Sequence, residues 1–102
     1  MKIQWTEPAV SDMETVRDYI AKDSEFYALR FVEMVFEILE RMCAFPNAGR
    51  IVPEAEDDSI REIFFYSYRI MYRIKDERLL VLAIIHGSRD LENVEPKPWN
   101  EK

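Results

Sequence analysis

Residues 68–90 constrain the fold of this chain more than any other segment, because they predict a β-hairpin whose second strand lies inside a sheet. From 68 to 74, Tyr and Ile alternate with Arg and Met, as expected for a strand with two different faces. After a turn at 75–78, residues 79–85 are apolar on both faces, which is typical of a strand with neighbours on both sides. That strand ends at His86-Gly87-Ser88-Arg89-Asp90, which places the only histidine and an arginine at one strand end.

The N-terminal half predicts one strand and two helices. A short strand at 2–5 precedes Thr6, which is placed to cap a helix ending near Lys22. Asp23 and Ser24 offer the next N-cap, and a longer helix, with apolar residues at intervals of three and four, follows and ends at Pro46. Residues 59–65 predict another strand before the hairpin. The predicted fold class is therefore α+β: an N-terminal strand, a two-helix hairpin and a three-stranded antiparallel meander, with both helices on one face of a small sheet.

Length and composition indicate one domain, over residues 1–91, followed by a loose tail at 92–102 that Trp99 could anchor. The net charge of −6 argues against non-specific nucleic-acid binding, which needs a basic surface. The longest apolar run is too short to span a bilayer, and the N-terminus does not resemble a secretory signal. Cys43 is the only cysteine and has no partner for an internal disulfide. We expect a cytoplasmic protein with no direct membrane contact, and the sequence indicates neither a cofactor nor a metal site.

The charges are unevenly distributed along the chain. Residues 1–60 hold 6 Lys/Arg and 13 Asp/Glu, a net of −7, whereas residues 61–90 hold 6 and 4, a net of +2. Period two places Arg69 and Arg73 on the same face of their strand. We therefore interpret the basic residues of the sheet half as candidates for binding a target: Arg61, Arg69, Arg73, His86 and Arg89. The alternative is a solvated face with a structural histidine at its end.

The second helix is apolar around more of its circumference than one sheet contact requires. Core packing accounts for most of these residues, but a remaining exposed patch would suit a partner protein. The candidates for that surface are Phe31, Val35, Ile38 and Phe45.

Several of these segments together resemble a known family. They are Trp5 at the end of the first strand, the helix from Ala9 to Ile20, F-P-x-x-G-R at 45–50, Y-R-I-x-Y at 68–72 and H-G-S-R-D at 86–90. Their order and spacing resemble the ParE/RelE toxin superfamily of type II toxin–antitoxin modules, often called plasmid stabilisation proteins. The resemblance covers roughly residues 3–91. It implies a cognate antitoxin whose C-terminal segment wraps around the toxin and neutralises it.

The resemblance leaves two mechanisms open. RelE-like toxins cleave mRNA on the ribosome with strand lysines, sheet arginines and a C-terminal tyrosine, whereas ParE-like toxins inhibit DNA gyrase without that set. Arg69 and Arg89 match the sheet arginines, but Ile60 and Glu62 lie where the lysines would be, and no tyrosine follows Tyr72. We therefore expect a ParE-like gyrase inhibitor with no catalytic residues. In the alternative nuclease, Arg69, His86 and Arg89 would carry the chemistry, with the ribosome and mRNA as partners.

A third interpretation is a remnant that binds antitoxin but is no longer toxic. The expected assembly is a homodimer or a toxin–antitoxin hetero-oligomer.

Overall fold

Two helices pack on one face of a five-stranded sheet. The computed structural model describes residues 1–100, and its elements are, in chain order, β1 (Lys2–Trp5), α1 (Glu7–Ala21), α2 (Glu25–Ala44), β2 (Arg50–Ile51), β3 (Ile60–Phe65), β4 (Tyr68–Lys75) and β5 (Arg78–His86). Short 3₁₀ turns lie at Pro53–Ala55 and Leu91–Asn93. The predicted α+β class, the two-helix hairpin and the meander of β3, β4 and β5 are confirmed.

The strand order in the sheet is β1-β5-β4-β3-β2. The first strand returns beside the last one, because β1 pairs with β5 in parallel, while every other neighbouring pair is antiparallel. The apolar strand β5 therefore has a partner on each side, as its sequence predicts. Strand β2 was not predicted from the sequence; its two residues pair with Arg61 and Glu62 of β3.

Both helices begin at the predicted capping residues. The Thr6 hydroxyl accepts a hydrogen bond from the Ala9 N–H and donates to the Val81 carbonyl, so it joins the start of α1 to β5. The Ser24 hydroxyl accepts from the Tyr27 N–H at the start of α2. These bonds satisfy backbone donors that the first turn of a helix leaves unpaired.

The sheet separates two apolar layers. The helix-face core lies between the sheet and both helices and includes Leu39, Ile70, Tyr72 and Val81, all at most 1% exposed. The smaller outer-face core lies on the opposite side of the same strands, and its buried members are Val52, Ile60, Met71, Leu82, Ala83, Ile85 and Leu91. The alternation predicted for β4 is confirmed, because Ile70 and Tyr72 face the helices while Met71 faces the outer layer.

The C-terminal segment is held on the outer face. Leu91 is buried there, Val94 and Trp99 pack against the same core, and the Lys97 ammonium donates to the Leu91 and Glu92 carbonyls. The description of this segment as loose is therefore wrong over the described part of it, while the anchoring role of Trp99 is confirmed. Residues 101 and 102 lie outside the described residues.

Candidate functional site

Arg69, the arginine of the Y-R-I-x-Y segment, is buried in a carboxylate cluster on the outer face of the sheet. Its Nε donates to the Glu62 carboxylate at 2.6 Å, and its two terminal nitrogens donate to both oxygens of Glu54 at 2.8 and 3.0 Å. The Arg69 side chain is 5% exposed and that of Glu62 is fully buried. The hydrogen bonds to Glu54 and Glu62 raise the pKa of Arg69 further above its ordinary value. The buried Arg69 guanidinium is therefore not accessible to a phosphate group.

The second oxygen of Glu62 pairs with Arg50. Arg50 Nε lies 2.7 Å from that oxygen, and its guanidinium carbon lies 4.9 Å from the centre of the Phe64 ring. Glu62 therefore bridges a buried and an exposed arginine, which offsets much of the cost of burying a charge. Hydrogen bonding to Arg69 lowers the pKa of Glu54, so this carboxylate stays ionised at a lower pH than an ordinary glutamate.

Arg73 and Arg61 lie on opposite faces of the sheet. Arg73 lies on the outer face with Arg69, as period two predicts, and pairs with Asp57 at 3.4 Å. Arg61 is opposite Tyr72 in the register and donates to the backbone carbonyls of Gly49 (2.7 Å) and Asn47 (3.3 Å). The structure therefore does not bring the three sheet arginines together into one accessible surface.

The F-P-x-x-G-R segment is hydrogen-bonded to β4 through the Tyr72 hydroxyl. That hydroxyl donates to the Pro46 carbonyl at 2.8 Å and accepts from the Gly49 N–H at 3.1 Å. A Cβ at position 49 would lie 2.5 Å from the same oxygen, so the approach requires glycine. Burial raises the pKa of Tyr72. This segment, which supports the family resemblance, holds the end of α2 against the sheet.

His86 lies exposed at the end of β5 and bonds within its own loop. Its Nδ1 accepts from the Ser88 N–H at 3.2 Å and lies 2.7 Å from the Ser88 hydroxyl. Because Nδ1 accepts this bond, the neutral ring carries its proton on Nε2. The Asp90 carboxylate of the same loop accepts from the Glu92 N–H and the Asn93 side chain.

Arg89 lies near a carboxylate of α1. Strand β1 ends at Trp5, so the part of β5 beyond Val81 has no neighbouring strand on the side opposite β4. Asp12 of α1 accepts a hydrogen bond there from the Ile84 N–H, at 3.0 Å. Burial raises the pKa of Asp12, while that hydrogen bond and the positive charge of Arg89 act in the opposite direction. Arg89 is exposed, and of the five basic candidates it and His86 have the most accessible side chains.

Three of the four residues proposed as an antitoxin-binding surface are in the core. Phe31, Val35 and Ile38 are 3%, 0% and 5% exposed, because these positions of α2 face the sheet and α1. Only Phe45, just beyond α2, is exposed. Their placement on the outer surface was wrong, since helical spacing alone does not reveal which apolar side faces the core.

The apolar surface of α2 is formed by other residues. Its exposed large side chains are Phe26, Tyr27, Leu29 and Phe36. Phe36 packs beside Trp5 of β1, with ring centres 5.6 Å apart. Phe26 and Tyr27 lie at the start of the helix, beside a pocket that extends to the β3–β4 turn. The expected exposed patch on α2 is therefore present, at positions other than those proposed for it from the sequence.

Residues 1–100 contain no group of three or more His, Cys, Asp or Glu side chains arranged to hold a metal ion. Over the same residues, no helix is both long and apolar enough to cross a membrane.

Comparison with known families decides the assignment. Residues 3–91 match the family described as the ParE toxin of the type II toxin–antitoxin system parDE. The chain belongs to the ParE toxin family. It is also 26% identical over 89 residues to Toxin RelE2 of Caulobacter vibrioides, an alignment that covers 86% of this chain and 97% of that protein. The protein is therefore a toxin of the ParE/RelE type.

Two solved structures share the fold. A chain of the chromosomal ParDE system from P. aeruginosa superposes with a TM-score of 0.69 at 23% identity, covering 84% of this chain and 95% of that one. A chain of the toxin–antitoxin complex RelBE2 from Mycobacterium tuberculosis gives 0.56 at 24% identity, covering 83% and 95%. This ParE-family chain therefore has a fold common to toxins of both names.

Proposed function

We propose that this ParE-family toxin acts in the cytoplasm by binding and inhibiting DNA gyrase, without catalysing a reaction, and is neutralised by a cognate antitoxin. The burial of Arg69 between Glu54 and Glu62 carries this proposal. Cleavage at an RNA 2′-hydroxyl needs a cation for the charge that develops on the phosphate. By sequence, Arg69 and Arg89 are the arginines that match this role. The charge of Arg69 is already matched by two carboxylates, which leaves the exposed Arg89 without its partner cation at the site.

A nuclease would also need a group to take a proton. The strand end offers His86, whose Nδ1 accepts a hydrogen bond from the Ser88 N–H within its own loop. Glu62, the carboxylate on the neighbouring strand β3, is not accessible as a base, because it is fully buried between Arg69 and Arg50. A binding mechanism requires neither a free base nor a free cation at these positions, so it is the function that the geometry supports best.

The antitoxin is proposed to lie along the exposed apolar side of α2. Leu29 and Phe36 are seven residues apart, so they share a helix face, and Phe36 joins that face to Trp5 of the edge strand β1. A segment of antitoxin that folds on binding could cover this helix face and the adjacent sheet edge together. The solved relatives include toxin–antitoxin complexes, which supports a partner of this kind.

Expression without antitoxin tests the proposal if two readouts are kept separate. We expect growth to stop while plasmid DNA loses negative supercoiling and the rate of translation falls only afterwards. Early loss of translation with mRNA cut in the reading frame, at unchanged DNA topology, would instead establish the ribosome-dependent nuclease. Normal growth with the chain folded and abundant would establish the non-toxic remnant.

A further inference from the structure

An aromatic pocket and a projecting tyrosine lie side by side at the end of the molecule where the α1–α2 turn meets the β3–β4 turn. The pocket, which we call the tip pocket, has a volume of about 530 Å³. Phe26 and Tyr27 at its edge are each 66% exposed. Aromatic side chains gathered in a concavity, rather than scattered singly, are typical of surfaces that bind a partner. The lining of the tip pocket includes Phe26, Tyr27, Arg30, Met34, Tyr66 and Tyr68.

Tyr66 projects from the rim of the tip pocket. It is the first residue of the two-residue turn between Phe65 and Tyr68, and it is 82% exposed. Its φ of 53° lies in the left-handed region, which favours glycine because an L side chain is strained there. The Tyr66 ring contacts Phe65 at 4.6 Å between centres, and Phe65 contacts the buried Phe31 at 5.5 Å. An aromatic ring held against the core, yet exposed and on a strained backbone, is better explained by a partner than by folding.

The lining of the tip pocket is close to neutral. Among the described residues 1–100, Arg30 is the only charged residue of that lining, and it donates to Glu33 of the same helix at 3.3 Å. Residues 17–34, which span the α1–α2 turn, hold 3 Lys/Arg and 4 Asp/Glu, a net of −1. A strongly acidic or basic partner would therefore gain little attraction from this pocket. Two copies of the chain brought together here would meet little repulsion between like charges.

The shape of this patch is complementary to itself. A two-fold contact places one surface patch against the same patch of a second copy, so the patch must carry both a projection and a recess that receives it. Tyr66 supplies the projection, and the space beside Phe26 and Tyr27 supplies the recess. A two-fold axis would thus create two equivalent contacts from one projection and one recess per copy.

We propose that the chain forms a homodimer through the tip pocket, in which Tyr66 of each copy inserts beside Phe26 and Tyr27 of the other. Covering the exposed area of these three rings would bury about 400 Å² per copy, whereas a standard interface buries about 800 Å² per partner. The dimer is therefore weak, with a Kd of about 10–500 µM, and forms only as the concentration of the chain rises.

The dimer contact leaves the proposed antitoxin surface uncovered. Leu29 and Phe36 of that surface lie about 100–120° around α2 from Arg30 of the tip pocket, since successive residues of an α-helix are about 100° apart. The two surfaces can therefore be occupied at the same time. The homodimer goes beyond the proposed function and does not depend on it, because neither the target nor the antitoxin takes part in the contact.

Sedimentation equilibrium of the purified, antitoxin-free chain tests the dimer directly. Between about 1 µM and about 1 mM, the mean mass should rise from that of one chain towards that of two. The association should persist in about 0.5 M NaCl, because the contact does not depend on charge. A chain that stays monomeric at about 1 mM, or a dimer that dissociates as salt is raised, would overturn the proposal.

Matched variants locate the contact. Tyr66→Asn should weaken the dimer at least about tenfold without disturbing the turn, because asparagine tolerates left-handed φ. Phe26→Ala should have a similar effect, since it removes one wall of the recess. The control is Phe45→Ala, because Phe45 is 67% exposed, as open as Phe26, but follows the other end of α2. Unchanged self-association in folded Tyr66→Asn and Phe26→Ala, or an equal loss in the control, would overturn the tip pocket as the interface.

Mixing the two variants tests the reciprocal insertion. In a mixed dimer, Tyr66 of the Phe26→Ala copy meets the unaltered recess of the Tyr66→Asn copy, so one of the two equivalent contacts is restored. An equimolar mixture should therefore associate more strongly than either variant alone at the same total concentration. A mixture that associates no more strongly than the separate variants would contradict the insertion of Tyr66 into the pocket of the other copy.

Discussion

Arg69 and Glu62 form a buried ion pair on the outer face of the sheet, with 2.6 Å between Arg69 Nε and the Glu62 carboxylate. The two residues belong to neighbouring strands, β4 and β3, and Glu54 and Arg50 extend the pair into a cluster of four charges. Arg69 matches one of the sheet arginines of RelE-like nucleases by sequence, but in this fold it is a structural residue. It positions the 3₁₀ turn at Pro53–Ala55 against the sheet and leaves recognition to other surfaces.

Removing Arg69 should destabilise the fold strongly. Arg69→Met leaves Glu62 buried with Arg50 as its only cation, and we expect a loss of about 3 kcal/mol in the free energy of unfolding, the low end for a broken buried pair. The double variant Arg69→Met/Glu62→Met should recover part of this loss, because the charges left without a partner, Glu54 and Arg50, are partly exposed rather than buried. Urea unfolding of Arg69→Met, Glu62→Met and the double variant measures the coupling energy between Arg69 and Glu62. A single variant as stable as the unaltered chain would show that the pair does not support the fold.

Gly49 should not tolerate a methyl group. A Cβ there would lie 2.5 Å from the Tyr72 hydroxyl oxygen and 2.8 Å from the Glu62 carbonyl oxygen, so Gly49→Ala should cost about 1–3 kcal/mol through overpacking. Gly87→Ala is the matched control, since its nearest neighbour would be the Ser67 carbonyl at 3.3 Å. Denaturant midpoints compare the two variants. Equal midpoints would mean that the contact between Tyr72 and the F-P-x-x-G-R segment is easily rearranged.

Glu54 should make stability depend on acid pH. Pairing with Arg69 holds the folded-state pKa of Glu54 below its ordinary value of 4.5. Its contribution is therefore fully present above pH 4.5 and is lost as pH falls through the lowered pKa. Glu54→Gln should cost about 0.5–1 kcal/mol at neutral pH, a small value because the side chain is partly exposed. Thermal unfolding of the unaltered chain and Glu54→Gln from neutral pH to about pH 3 should show that the stability difference between them shrinks as pH falls. A stability difference that stays constant would contradict this role of Glu54.

The sequence predicted the fold in more detail than the site, for a physical reason. Period two in β4, the apolar run of β5 and the caps Thr6 and Ser24 are local signals, and all four are confirmed. The Arg69 cluster depends on Glu54, which lies in a loop fifteen residues away, and no local pattern reveals that contact. The side of α2 facing the core was also ambiguous, because Phe31 and Phe36 are both aromatic residues of one helix.

His86→Ala should leave toxicity unchanged. The ring bonds only within its own loop through Ser88 and packs edge-on against Tyr68, so the substitution should cost little stability and no activity in a binding mechanism. Growth inhibition after induction, compared with the unaltered chain at equal protein abundance, measures the effect. A loss of toxicity in a folded His86→Ala variant would indicate that His86 has a functional role.

The most direct measurement is a supercoiling assay with purified DNA gyrase and relaxed plasmid, titrated with the purified chain. Inhibition should increase with toxin concentration and should be reversed by adding the cognate antitoxin. Full supercoiling at a large molar excess of folded, antitoxin-free protein would contradict gyrase inhibition.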